Sequence, residues 1–263
     1  MNERLTRSTL FNSEDRTIFC AGPGRQYHLS VGLPEYYETS DQAYPVVYLL
    51  DGDAMFGMAA GLTPSLSWYG AGEVIVVGIS YGVDTFEQFG KLRELDFKIP
   101  EVKDAPPDSH AELFLDALIH EMIPVVEANY RTIPAQRSIF GYSSGGFFVL
   151  YALCNQPEAF RHYLCGSPVL YISYPYFIQH DQKLAQTSAN NPIDLFLTLG
   201  EREDYWLPEF KALIAHLEDK RYPGLKLSTE IYPGEGHGPE GIALTYFHGL
   251  RRAYPGRKDQ DAE

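Results

Sequence analysis

Cysteine is scarce in this chain. Three residues, Cys20, Cys154 and Cys165, are spread over 263 positions, each among apolar neighbours. An odd, sparse set builds no disulfide framework; it fits a reducing compartment and buried packing. There is no Cys-x-x-Cys pair, and the one zinc-like opening, His120-Glu121, meets Pro124 where a second His is required, so no metal site is expected. Basic residues are few as well: 21 Lys and Arg stand against 35 Asp and Glu, a formal charge of −14 with pI near 5.0. A surface of that sign repels nucleic acid, and no basic run exceeds a pair. No apolar run approaches the ~18 residues of a membrane span. The opening stretch MNERLTRSTLFNSEDR lacks the apolar segment of a signal peptide, so a cytoplasmic protein without membrane contact is expected. No segment repeats at a fixed period, which excludes solenoids and propellers. AGPGR at 21–25 has two glycines but no helix after them, so it is no nucleotide loop. No cofactor is expected.

What is there is apolar and strand-like. Hydrophobic residues make up 44% of the chain, enough for one sizeable core, so 1–263 is read as a single domain. YPVVYLLDG (44–52), EVIVVGIS (73–80), RSIFGY (137–142), DLFLTLG (194–200) and LSTEIYPG (227–234) are short, rich in β-branched and aromatic residues, and end in Gly, Ser or Tyr. Continuous apolar strands suit a parallel sheet covered on both faces. QYHLSVGLP (26–34) alternates, as an antiparallel edge strand should. Helical spacing marks 110–130, where Pro124 is expected to end or kink the helix. It also marks 144–155, apolar all round, and 207–220, amphipathic. Strands alternating with helices predict an α/β fold with a mostly parallel central sheet and helices on both faces.

The stretch SIFGYSSGG then carries the chemistry. Gly141-Tyr142-Ser143-Ser144-Gly145 is a G-x-S-x-G match between a strand and a helix, the setting of the nucleophile elbow in an α/β-hydrolase fold. The frame selects Ser143, which has Gly at both −2 and +2; Ser144 has Tyr at −2. The start of the following helix points amides and a positive dipole end at the site, which suits a developing oxyanion. A base and an orienting acid should follow in the order Ser, acid, His. His237 sits in PGEGHGPE after the last strand, between two glycines. The acid should follow DLFLTLG, where Glu203 ranks first, Asp204 second and Glu201 third. The backbone amides of Asp53, just past Gly52, and Ser144 are the candidate oxyanion donors.

These residues resemble the esterase family of α/β-hydrolases that includes enterochelin and bacillibactin esterases, S-formylglutathione hydrolases, feruloyl esterases and mycolyltransferases. The likeness covers nearly the whole chain. YPVVYLLDGDAMF resembles its oxyanion-loop strand. LRELDFKIP resembles its Arg-x-x-Asp-(aromatic)-x-x-Pro stretch, with Lys98 in place of Thr. EMIPVVEANYRT and IFGYSSGGFFVLYALCNQPEAFRHYLCGSP resemble the helix before the elbow, the elbow itself, its helix and the next strand. The resemblance implies Ser143 as nucleophile, His237 as base, Glu203 as acid, and the amides of Asp53 and Ser144 as oxyanion donors. Arg93 and Asp96 are expected to pair and hold a loop near the site.

The expected activity is serine-dependent cleavage of carboxylic esters through an acyl-enzyme, with a siderophore trilactone as one substrate. Small-acyl or aromatic esters or thioesters are the alternative, as is acyl transfer by the same triad; a non-catalytic binding relative ranks last. Ferric siderophores are anionic and their pocket should gather Arg or Lys, so the scarcity of basic residues near the motif loops, where Lys91, Arg93, Lys98 and Arg202 are the candidates, counts against a ferric complex. Segment 168–192 is read as a short cap or pocket wall. Its Tyr171, Tyr174, Tyr176 and Phe177 either stack on a flat acyl group or only seal the sheet. Arg93, Tyr142, Tyr171 and Tyr174 are the candidate substrate contacts. The expected partner is a small-molecule ester, with a homodimer left open.

Overall fold

A computed structural model describes residues 10–256. The opening nine residues of the polar N-terminal stretch, and the last seven of the span read as one domain, lie outside it. Eight strands form one sheet: β1 (Ser13–Cys20), β2 (Arg25–Gly32), β3 (Tyr44–Leu49), β4 (Ile75–Ser80), β5 (Thr132–Tyr142), β6 (His162–Gly166), β7 (Ile193–Gly200) and β8 (Leu225–Tyr232). Their spatial order is β1-β2-β4-β3-β5-β6-β7-β8. β2 runs antiparallel to both its neighbours, and every pair from β4 to β8 is parallel. This is the α/β-hydrolase fold. β2 is antiparallel as its alternation implied, but it is not at the edge. β1 covers it, pairing Ser13 through Cys20 with Gly32 through Arg25 around the AGPGR turn. β1 alternates too weakly to stand out, because its outer face meets water: Phe19 is exposed and Cys20 buried.

The helices are α1 (Gly52–Leu66), α2 (Phe86–Phe97), α3 (Ala111–Ala117), α4 (Ile123–Asn129), α5 (Ser144–Asn155), α6 (Leu170–His180), α7 (Gln182–Thr187), α8 (Leu207–Lys220) and α9 (Pro239–Ala253). Burial of apolar surface on both sides of the sheet holds the layers together. α1 and α9 cover one face, where Phe56 and Tyr246 pack on Val47 and Phe140. α3 to α8 cover the other, where Phe148, Phe177 and Phe210 pack on Ile139, Tyr163 and Leu195. Pro124 neither ends nor sharply breaks the helix over 111–129. A π-turn at Leu118–Met122 joins α3 to α4 and places Pro124 at the start of α4, where its missing N–H is tolerated.

Segment 168–192 contains α6 and α7, the crossover between parallel strands β6 and β7, packed on α5 and α8. Among the described residues, no helix is long and apolar enough to cross a membrane. The carboxyl ends of β3, β5, β6, β7 and β8 all open toward one end of the sheet, and the loops after them build the site.

Candidate active site

The elbow is strained where the motif requires it. β5 ends at Tyr142, α5 starts at Ser144, and Ser143 between them sits at φ 61°, ψ −122°. A non-glycine residue rarely occupies that region, and it persists where packing enforces it. The reason is local crowding. A side chain at Gly141 would collide with the Gly145 carbonyl, and one at Gly146 would stand 2.6 Å from the Gly166 carbonyl oxygen. The Ser143 amide donates to that same Gly166 carbonyl at 3.0 Å, tying the elbow to β6.

His237 lies in the loop between β8 and α9, with its side chain 31% exposed. Its Nδ1 and Glu203 Oε1 are 2.6 Å apart. Glu203 follows β7 and is fully buried. Its other oxygen accepts from Ser167 Oγ at 2.6 Å and from the Gly200 amide at 2.7 Å. Burial alone would push this carboxyl up. The hydrogen bonds from His237, Ser167 and Gly200 outweigh it and hold the group below its ordinary value. Glu203 is therefore an anion aimed at Nδ1, which makes Nε2 the nitrogen available to a hydroxyl. The Ser143 hydroxyl makes no hydrogen bond to His237 among the described residues; such contacts commonly tighten only with substrate in place. The two loops are nonetheless adjacent, because Tyr142, next to Ser143, sets its ring 5.1 Å from the imidazole.

The other two carboxylates of that turn do different work. Asp204 is exposed and opens a short 3-10 turn. Glu201 accepts from the Gly234 amide at 2.7 Å and so pins the two loops together.

The oxyanion candidates sit at two helix starts. The Ser144 amide is in the first turn of α5 and the Asp53 amide in the first turn of α1, where N–H groups have no partner within the helix. The Asp53 side chain turns away and accepts from the amides of Tyr81 at 2.7 Å and Gly82 at 3.0 Å, fastening this loop to the end of β4. Asp51, just before α1, is held left-handed at φ 56° and is 2% exposed.

Here the expected pairing fails. Arg93 does not pair with Asp96. Its Nε and Nη2 donate to the two oxygens of Asp51 at 2.8 and 2.7 Å, and its guanidinium lies between the rings of Phe89 and Phe97. The physical reason is burial of both carboxylates. Asp51 takes the bidentate fork of α2, while Asp96, on the next turn, faces the sheet and is met by Tyr27, Arg25 and His110. Arg93 is thus committed to Asp51 and braces the start of α1, where the candidate oxyanion amide of Asp53 lies. Glu94 extends the network, accepting from Ser144 Oγ at 3.2 Å and pairing with the buried ammonium of Lys98. Lys98 here fills a structural position. Lys91 pairs with Glu87. Of the four cations named near the motif loops, Arg202 alone has no ion pair among the described residues, and it stands next to Glu203.

Tyr142 is buried behind His237, and burial pushes its phenol up to about 12, so it is a neutral packing group and not a substrate contact. Tyr174 packs against the core, as do the buried Tyr176 and Phe177. Tyr171 is 42% exposed and lines a cavity of about 880 Å³ with Ile99, Lys103, His110 and Tyr176. Sequence reasoning missed Ser167 and Trp206. Ser167 follows the end of β6 at φ 36°, an address visible only once β6 is placed beside β7. Trp206 shares the turn of Glu203, and that proximity was the available signal. No group of three or more metal-ligating side chains occurs among the described residues.

Known proteins resemble this chain in sequence and fold. Over 251 residues the chain is 30% identical to the ferri-bacillibactin esterase BesA of Bacillus subtilis, covering 87% of this chain and 85% of that one. Over 239 residues it is 26% identical to a siderophore triacetylfusarinine C esterase of Aspergillus fumigatus, covering 86% and 80%. Among solved structures, the BES protein of Bacillus cereus superposes with a TM-score of 0.84 at 23% identity, over 97% of this chain and 99% of that one. The family described as "Putative esterase" matches residues 21–230. The chain belongs to that esterase family.

Proposed function

We propose that this protein is a serine esterase that opens the ester backbone of a siderophore. The observation that carries the chemistry is the buried, ionised Glu203 locked on His237 Nδ1 beside a strained Ser143. In this reading His237 Nε2 takes the Ser143 proton as Oγ attacks the ester carbonyl. The oxyanion is received by the amides of Asp53 and Ser144, at two helix starts whose dipoles favour negative charge. Collapse breaks the ester C–O bond, and His237 returns the proton to the leaving alcohol. Water, deprotonated by His237, then attacks the acyl-enzyme and releases the acid and the free serine.

The substrate class is supported by the two relatives named as siderophore esterases. Of Lys91, Arg93, Lys98 and Arg202, Arg202 alone has no ion pair among the described residues, so an anionic ferric complex would meet one free cation of that set next to Glu203. Tyr171, on the wall of the 880 Å³ cavity, is our candidate contact for an arm away from the scissile bond. A compartment that keeps thiols reduced fits Cys20, Cys154 and Cys165, which are buried and unpaired.

The test is hydrolysis, followed by chromatography, of an iron-free and a ferric triscatecholate trilactone, with short aryl esters and a feruloyl ester alongside and Ser143→Ala as the blank. Rapid Ser143-dependent opening of the trilactone is the expected result. Turnover of the simple esters alone would remove the siderophore reading and keep the esterase.

A further inference from the structure

The turn that supplies Glu203 supplies a second group to the imidazole. Trp206 is three residues on, and its amide bonds the Glu203 carbonyl at 2.9 Å. Its ring meets His237 edge-to-face, with centroids 5.2 Å apart and planes at 87°. Tyr142 meets the same imidazole at 5.1 Å and 43°. The imidazole thus has three neighbours of different kinds: a carboxylate on Nδ1 and two aromatic rings.

Each ring has a rigid base. Tyr142 is the last residue of β5 and is buried. Trp206 closes the short turn 204–206, stacks edge-on with Tyr205 at 5.0 Å, and packs against the main core. The loop bearing His237 is much less constrained by itself, with glycine on both sides. One hydrogen bond fixes a ring's in-plane direction but leaves it free to swing about that bond. Two aromatic contacts remove the swing. Edge-to-face and tilted ring contacts of this kind are favoured geometries that hold a ring's orientation.

We infer that Trp206 is a positioning residue, which with Tyr142 clamps His237 so that Nε2 keeps its aim at Ser143 and the Nδ1–Glu203 bond stays shielded from water. This rests on the esterase reading above, since it assumes His237 is the base. A misplacement of about 1 Å in a catalytic group can cost about 10²-fold in rate, so the clamp is expected to act on kcat and not on KM.

The test has two arms. In the kinetic arm, Trp206→Ala lowers kcat on a small aryl ester by about 10- to 100-fold with KM nearly unchanged, and Trp206→Phe, which keeps an aromatic contact, restores most of it. In the spectroscopic arm, carried out in Ser143→Ala protein so that it needs no activity, the far-downfield proton shared by His237 Nδ1 and Glu203 is followed by NMR. It should be sharp in the parent, broadened by solvent exchange in Trp206→Ala, and sharp again in Trp206→Phe, with the backbone amide spectrum preserved throughout. An unchanged kcat, an equally sharp proton in Trp206→Ala, or no rescue by Phe each overturns the clamp. If Ser143→Ala keeps full esterase activity, the proposed mechanism fails instead, while the proton signal still reads the clamp.

Discussion

Glu203 Oε1 and His237 Nδ1 are 2.6 Å apart, although 33 residues and the whole of α8 and β8 separate them in the chain. A fully buried carboxylate with that partner orients the imidazole and steadies its positive charge. Glu203→Gln keeps the shape but offers the wrong group to Nδ1, and should lower kcat by roughly 10⁴-fold, as loss of an orienting acid does elsewhere. Asp204→Asn, exposed on the same turn, should leave kcat nearly unchanged. Steady-state kinetics on one aryl ester ranks the two, and the reverse ranking would move the acid to Asp204.

The same carboxylate couples folding to pH. Its folded value lies below the ordinary carboxylate range, so the unfolded chain binds its proton more readily. Glu203 therefore contributes stability that is fully present above the unfolded value of about 4.3 and is lost as pH falls through the lower, folded value. Urea unfolding from pH 7 to pH 3 should show wild-type stability falling more steeply below about pH 4 than that of Glu203→Gln. Parallel curves would mean that Glu203 is not selectively stabilised as an anion.

At the elbow, Ser143→Ala should remove roughly 10⁴–10⁶ of kcat, because triad members act as a unit. Ser143→Gly should be equally inactive. It should also be the more stable of the two by about 1 kcal/mol, since glycine relieves the strain of φ 61°, ψ −122°. Thermal unfolding of the two variants measures this directly.

Arg93 holds Asp51 at the start of α1, the turn proposed to receive the oxyanion. Arg93→Ala strands the buried Asp51 carboxylate and should destabilise the fold by about 3 kcal/mol. Arg93→Lys should recover only part of this, because an ammonium cannot make the bidentate contact between Phe89 and Phe97. Chemical denaturation of both variants checks the ranking.

Tyr171, the proposed distal contact, offers a test of substrate recognition apart from chemistry. Its exposed ring on the large cavity predicts that Tyr171→Ala raises KM for a trilactone siderophore about 10-fold while leaving a short aryl ester unaffected. Equal effects on both substrates would remove that cavity from recognition.

Much of this molecule is written locally. The continuous apolar runs at 44–49, 75–80 and 193–200 name the inner strands because residues buried on both faces need no alternation. The glycines around Ser143 mark it as the candidate nucleophile, and at Gly141 and Gly146 a side chain would collide with backbone. The span between Gly200 and His237 bounds the acid. What the chain order leaves open is which groups meet across it. Glu201, Glu203 and Asp204 are nearly equivalent as letters, and only the packing of β7 between β6 and β8 buries one, brings Ser167 and His237 to it, and leaves Asp204 in water. Arg93 lies close in sequence to Asp96 yet pairs with Asp51, 42 residues away, while Asp96 is met by Tyr27, Arg25 and His110. Tyr142 reads as a residue beside the candidate nucleophile, and its place at the end of β5 buries it against His237. Local preferences choose the elements; burial, which depends on all neighbours at once, decides which side chains become partners.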